Sequence, residues 1–182
     1  MRDRAILATL LYHGIRREEL CALRVRDIQS RQGVMHFRIK GKRNKIRFVP
    51  AHVTSQRLIG EYLAVARHGD DAAGPLFRPV KNNVTGELDR PLNPNSVYRN
   101  IVQKYGLETG VGAQVSGLCV HSLRATARHQ RALTRSRYRQ GPGVARPRQG
   151  MNETAGDQNF PLNGRTSSSI VHVLGSWCAR CQ

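Results

Sequence analysis

Apolar side chains recur along the first two-thirds of this chain with two different periods. Ile6, Leu7, Leu10 and Leu11 share one face of a helix. Leu20 and Leu23, next to the acidic pair Glu18-Glu19, fit a second, short helix. From Val34 to Lys40 and from Ile46 to Val49 the pattern becomes an alternation, which predicts two strands with residues 41–45 as the turn between them. Leu58, Ile59, Tyr62 and Leu63 return to helical spacing. Asn93-Pro94 is a helix start: an amide caps free N–H groups, and a proline suits the first turn. Val97, Ile101, Val102 and Tyr105 carry the buried face of that helix onward. The predicted order is helix, helix, β-hairpin, helix, loop, helix, helix, with no internal repeat. The fold class is mixed, mainly α with a small antiparallel β-hairpin or sheet.

That regularity ends near Ala127. Residues 128–182 contain arginines but no lysine, and Glu153 and Asp157 are their only acids. Gly141-Pro142-Gly143 and Arg146-Pro147-Arg148 interrupt the arginines. Glycine, proline and like charge all oppose helix and core formation. The expectation is a folded unit over residues 1–127 and an irregular, disordered Arg/Gly/Pro-rich tail over 128–182.

Charge narrows the partners. Lys+Arg number 30 against 12 Asp+Glu, a formal net charge of +18. So much positive charge repels itself unless a polyanion neutralises it, and nucleic acid is the expected partner. A ribosomal or merely basic protein fits the composition equally. No apolar run of about 18 residues is present, so no membrane span is expected. The residues Met1-Arg2-Asp3-Arg4-Ala5 lack the layout of a secretion signal, so the expected place is the cytoplasm. Cys21 and Cys119 lie in apolar stretches and fit the core. Cys178 and Cys181 form a lone CxxC without a second ligand pair, so no metal is expected there.

Four local signals then coincide. Gly14-Ile15-Arg16-Arg17-Glu18-Glu19-Leu20 resembles the Gly-x-Arg-x-x-Glu-Leu box of the tyrosine recombinase (phage integrase) family. Gly41-Lys42-Arg43-Asn44-Lys45-Ile46-Arg47-Phe48-Val49-Pro50 resembles that family's lysine-bearing hairpin. The helix opened by Asn93 occupies the place before the second box, and His121-Ser122-Leu123-Arg124 resembles the His-x-x-Arg box itself. The resemblance covers residues 3–127, and it implies the fold of a tyrosine-recombinase catalytic domain.

The resemblance also implies a chemistry that suits these residue types. A phosphodiester under attack passes through a pentacoordinate, more anionic state that fixed cations stabilise. Arg16 and Arg124 would hold its non-bridging oxygens, because a planar fork binds two oxygens and stays charged. His121 would bond the same phosphate or accept a proton. Lys42 would protonate the departing 5′ oxygen. Glu19 would orient the Arg16 region from behind, and Lys40, Arg43, Lys45 and Arg47 would contact DNA. No metal or other cofactor is implied, and no small-molecule ligand. Double-stranded DNA and further recombinase protomers are the implied partners, in a mobile-element, nucleoid-associated setting. Each role has an ordinary alternative. Arg16 precedes two glutamates and would make a surface ion pair, Lys42 sits among other solvated cations, and His121 would be a structural histidine. Arg43 departs from the family's usual glycine, which is costly if that turn position needs a positive φ.

The family continues past its second box to a Leu-Gly-His motif and a nucleophilic tyrosine. Neither is recognisable after Ala127, and neither is the family's amino-terminal clamping domain. Tyr138 follows Arg124 one helix too soon, and Trp177 and His172 lack a matching context, so no nucleophile is assigned. Codons exist for residues 137–149 that, read one base later, spell Asp-Ile-Ala-Lys-Val-Gln-Glu-Trp-Leu-Gly-His-Ala. A frameshift near Ala127 is therefore expected. Three functions remain: a DNA-binding fragment of a recombinase, inactive in strand cleavage; a non-enzymatic, interfering DNA binder; and a pseudogene product without function.

Overall fold

The computed structural model describes residues 1–81, 86–114 and 118–139. The Lys42 side chain lies outside the described set, as do Trp177, His172, Cys178, Cys181 and the rest of the chain from residue 140. Helix α1 (Arg2–His13) is the central element. Sequence spacing gave it one apolar face, yet every residue from Ala5 to Leu10 is buried. It lies between α3 and α7, and a helix covered on two sides is apolar on more than one face. Thr9 is admitted because its hydroxyl donates to the Ala5 carbonyl at 2.7 Å. Gly14 ends the helix in the left-handed region at φ 57°, its N–H bonded to Leu10 O. A Cβ there would lie 3.1 Å from Ala127 Cβ, so α7 packs closely on this turn.

Helix α2 (Arg17–Ala22) follows at once. The sheet has three antiparallel strands in the order β1 (Ile28–Arg31), β2 (Val34–Lys40), β3 (Ile46–Pro50). The sequence pattern had missed β1, whose residues offer a single apolar side chain. Its two-residue link to β2, Gln32-Gly33, has positive φ at both positions, as tight hairpins require. The longer β2–β3 link closes with Gly41 N–H on Lys45 O at 2.7 Å and makes a short 3-10 turn over Lys42–Asn44. Phe37, Ile39 and Val49 point into the core.

Helix α3 (Val53–Ala66) buries Leu58, Ile59 and Tyr62, as its spacing predicted. The segment beyond it brings Leu76 and Phe77 fully inside, tied to Leu23 and Val25 by backbone bonds. Helix α4 (Pro94–Val97) starts where expected, with Asn93 Oδ1 accepting from Asn95 N at 2.8 Å. A π-helical segment (Tyr98–Gln103) then joins it to α5 (Lys104–Glu108) and α6 (Val111–Gln114).

Helix α7 (Val120–Arg139) buries Val120, Leu123, Thr126 and Ala127. Ser122 caps its start, its Oγ accepting from Cys119 N at 2.9 Å. The helix crosses the compositional boundary at Ala127 and runs on to Arg139. Irregular structure was expected from residue 128, but glycine and proline are absent until Gly141, and the intervening residues include good helix formers. Beyond Ala127, Arg128, His129 and Ala132 are exposed. Cys21 is buried as expected, and burial pushes its thiol up to about 12, so it is an inert core residue. Among the described residues no helix is long and apolar enough to cross a membrane.

Candidate active site

The head of α2, the hairpin and the first turns of α7 meet around one carboxylate. Arg16 sits at the N-cap of α2 because Gly14 turns the chain back after α1, and its side chain is about half exposed (52%). Glu19 stands three residues on and is buried. Its Oε2 accepts from the Arg16 backbone N–H at 2.8 Å, which satisfies a free amide at the helix start. Its Oε1 accepts from Arg16 Nη1 at 2.9 Å. Arg47 reaches the same carboxylate from β3 with both ends of its fork, Nη1 to Oε1 at 3.0 Å and Nη2 to Oε2 at 2.7 Å.

Burial alone would push the Glu19 carboxyl up. The hydrogen bonds of Arg47 and Arg16, with the charge of Arg47, outweigh it and hold the group at about 2. Glu19 is therefore ionised at any ordinary pH.

Arg124 completes the cluster from α7. Its Cγ and carbonyl oxygen lie 3.7 and 3.6 Å from where a Cβ on Gly14 would be, so it packs against the turn that leads to Arg16. It is half-buried, and its Nη1 is buried without a hydrogen-bond partner. Its pKa is lowered, first by desolvation, then by the charges of Arg16 and Arg128, with Glu19 acting the other way. Two guanidinium groups thus share a single carboxylate, and a third, that of Arg124, carries an unmet donor nearby. The arrangement has room in its charge balance for one more anion.

His121 lies one helical turn before Arg124 and is exposed. A backbone hydrogen bond is the main cause that lowers the carboxyl of nearby Glu18, and the charge of His121 contributes to it. Lys42 follows Gly41, whose Cβ position would be 3.8 Å from Glu19 Oε1, so the backbone at Lys42 enters the same region. Lys40, Arg43 and Lys45 are exposed. Arg43 does take a positive φ, 59°, and Asn44 follows at 62°.

Sequence reading grouped Arg16, Glu19, His121 and Arg124 without showing what Arg47 does. It placed Arg47 with the outward cations, whereas its fork is taken up by Glu19. Strand alternation was the signal: Arg47 pairs with buried Ile39, and paired residues share a face. Arg17 was also passed over, and it bonds Asn95 Oδ1 at 3.3 Å to tie α2 to the head of α4. Among the described residues no group of three or more His, Cys, Asp or Glu is placed to hold a metal ion.

The phage integrase family model matches residues 1–133, most of the chain. The chain belongs to the phage integrase family. Among its integrase relatives, tyrosine recombinase XerC of Pelotomaculum thermopropionicum is 40% identical over 132 residues, 70% of this chain and 42% of that protein. Tyrosine recombinase XerC of Thermodesulfovibrio yellowstonii is 32% identical over 133 residues, 69% of this chain and 39% of that protein. The chain therefore spans about four-tenths of the length of these relatives. In three dimensions the integrase fold is shared with XerA recombinase, at a TM-score of 0.52 and 25% identity over 79% of this chain and 46% of that one. XerH site-specific recombinase bound to palindromic difH substrate, at 24% identity and a TM-score of 0.52, has the same fold over 72% of this chain and 35% of its own. The site-specific recombination family, the mainly helical fold and the small antiparallel sheet agree with the sequence reading.

Proposed function

We propose that this chain binds duplex DNA and holds one phosphodiester between Arg16 and Arg124, with His121 and Lys42 at its edge. The observation that carries this reading is the buried, partnerless Nη1 of Arg124 beside a second arginine. A buried guanidinium donor without an acceptor is costly, and a phosphate oxygen is its natural complement. Lys40, Arg43 and Lys45 are exposed on the hairpin that also carries Arg47. They suit the flanking phosphates of a duplex. The relatives of known activity are recombinases, and XerH was solved on its DNA substrate.

In the family's reaction a tyrosine attacks the phosphodiester and the DNA 5′ oxygen leaves with a proton. Arg16 and Arg124 would stabilise the charge that grows on the non-bridging oxygens, and Lys42 would supply the proton. The phosphodiester energy is conserved in the 3′-phosphotyrosyl link. Tyr138 does not fit the attacking role in this chain. It shares α7 with Arg124, 14 residues on, which at ~1.5 Å per residue is roughly 21 Å along the axis. We therefore propose binding without strand cleavage.

Anisotropy with a labelled duplex tests the binding. The affinity should fall steeply between low and physiological salt, and flat binding would contradict it. A suicide DNA substrate tests the second part. No covalent protein–DNA adduct is expected, and an adduct that disappears in Tyr138→Phe would overturn it.

A further inference from the structure

The hairpin sets one arginine on the core-side face of the sheet, with its side chain 39% exposed. Arg47 pairs with Ile39 on the face that carries Phe37 and Val49, while Lys40 stands on the opposite face. The Arg47 fork closes on both oxygens of Glu19, and the same carboxylate holds the side chain and backbone N–H of Arg16. A bidentate arginine–carboxylate pair fixes angle as well as distance, which a lysine's single point charge does not.

Gly41 sits at the seam. Its φ of −93° suits any residue, so conformational freedom does not explain the glycine. Space does. A Cβ would lie 3.2 Å from Arg47 Nη1, 3.4 Å from Lys45 O and 3.8 Å from Glu19 Oε1. A side chain at 41 would press on the fork that grips Glu19, and Lys42 is the next residue.

We infer that Arg47 and Glu19 form a latch that sets the hairpin tip against Arg16, which makes Arg47 and Gly41 positioning residues for phosphate binding and not DNA contacts. The inference rests on the reading that Arg16 holds a phosphate. It assigns Arg47 a part different from that of its outward neighbours. Those cations would each neutralise a phosphate of their own. Arg47 has given its fork to Glu19 and acts through Arg16 and the hairpin.

Salt dependence separates the two roles. Each direct phosphate contact adds about 0.9 to the slope of log affinity against log salt, whereas a positioning residue changes affinity at constant slope. The full chain is titrated with a fluorescein-labelled mixed-sequence duplex at several KCl concentrations. Arg47→Met should bind about tenfold more weakly with an unchanged slope. Gly41→Ala should weaken binding in the same way but less, and Arg47→Lys should recover part of the loss. Lys45→Met serves as the direct contact and should lower the slope by about 0.9. If Arg47→Met cannot be obtained folded, Arg47→Lys and Gly41→Ala carry the comparison. The carboxyl carbon of Glu19, followed by NMR, gives an independent signature: its midpoint near 2 should rise in Arg47→Met and stay low in Lys45→Met. A slope lowered by about 0.9 in Arg47→Met would show that Arg47 contacts phosphate itself. Wild-type affinity in both Arg47→Met and Gly41→Ala, with Arg16→Ala weakened, would also overturn the latch. Wild-type affinity in Arg16→Ala would instead remove the phosphate reading and the positioning role with it, while the carboxyl titration still reports the contact.

Discussion

Single positions in this chain carry opposite backbone demands. Arg43 takes φ 59° at the hairpin tip, where a side chain crowds the neighbouring carbonyl. Arg43→Gly should raise stability by about 0.5–1 kcal/mol, after the extra chain entropy of glycine is counted. Urea unfolding reads this, and a lower midpoint would show that the tip is not strained. DNA affinity should fall in the same variant, since a solvent-facing cation is lost. Gly14 is the reverse case. At φ 57°, with Ala127 Cβ 3.1 Å from any added Cβ, Gly14→Ala should cost about 2 kcal/mol and push α7 away from the end of α1. Unfolding of the variant within a few tenths of the wild-type value would contradict that packing. Arg43 was foreseeable from sequence as a departure from a glycine position. The closeness of Gly14 to Ala127 was not, because no local pattern reports a contact between residues more than a hundred positions apart.

At the scale of elements, periodicity located most of what lasts. The helix at Asn93-Pro94, the turn over residues 41–45 and α3 were all legible, because each has its own start signal or a sustained period. Strand β1 was not, since four residues with one apolar member give no alternation to count. The reach of α7 is not legible for a different reason. Composition changes at residue 128, but helix propensity does not fall until Gly141. Among the described side chains of α7 the buried ones end with Ala127, and Arg128, His129 and Ala132 are exposed, so the two ends should differ in stability. Leu123→Ala, which opens a cavity against α1, should cost about 2–4 kcal/mol. Ala132→Gly, at an exposed position, should cost no more than about 1 kcal/mol. Equal losses in urea unfolding would mean that the second half is packed as firmly as the first.

The whole molecule joins a basic surface to one deeply ionised carboxylate. Glu19 has its pKa depressed from 4.5 to about 2 by Arg47 and Arg16. A depressed acid stabilises the fold above its unfolded value and loses that contribution as pH falls through the folded one. Stability should therefore drop between about pH 4.5 and 2, and Glu19→Gln should flatten much of that slope. An unchanged slope in Glu19→Gln would place the acid sensitivity elsewhere. The motifs brought Arg16, Glu19, His121 and Arg124 together on paper. Geometry added that the carboxylate is shared, that Arg47 is its second clamp, and that Arg124 retains an unmet donor. Those facts depend on how three elements meet, which spacing along the chain does not encode.

The most direct test is a double-mutant cycle on duplex binding with Arg16→Ala, Arg124→Ala and the double variant. Two arginines on one phosphate are coupled, so removal of either should weaken binding by about tenfold or more, and the double variant should lose clearly less than the product of the two. Losses that multiply independently, or an Arg124→Ala protein that binds as tightly as wild type, would show that the two guanidinium groups do not converge on a common phosphate.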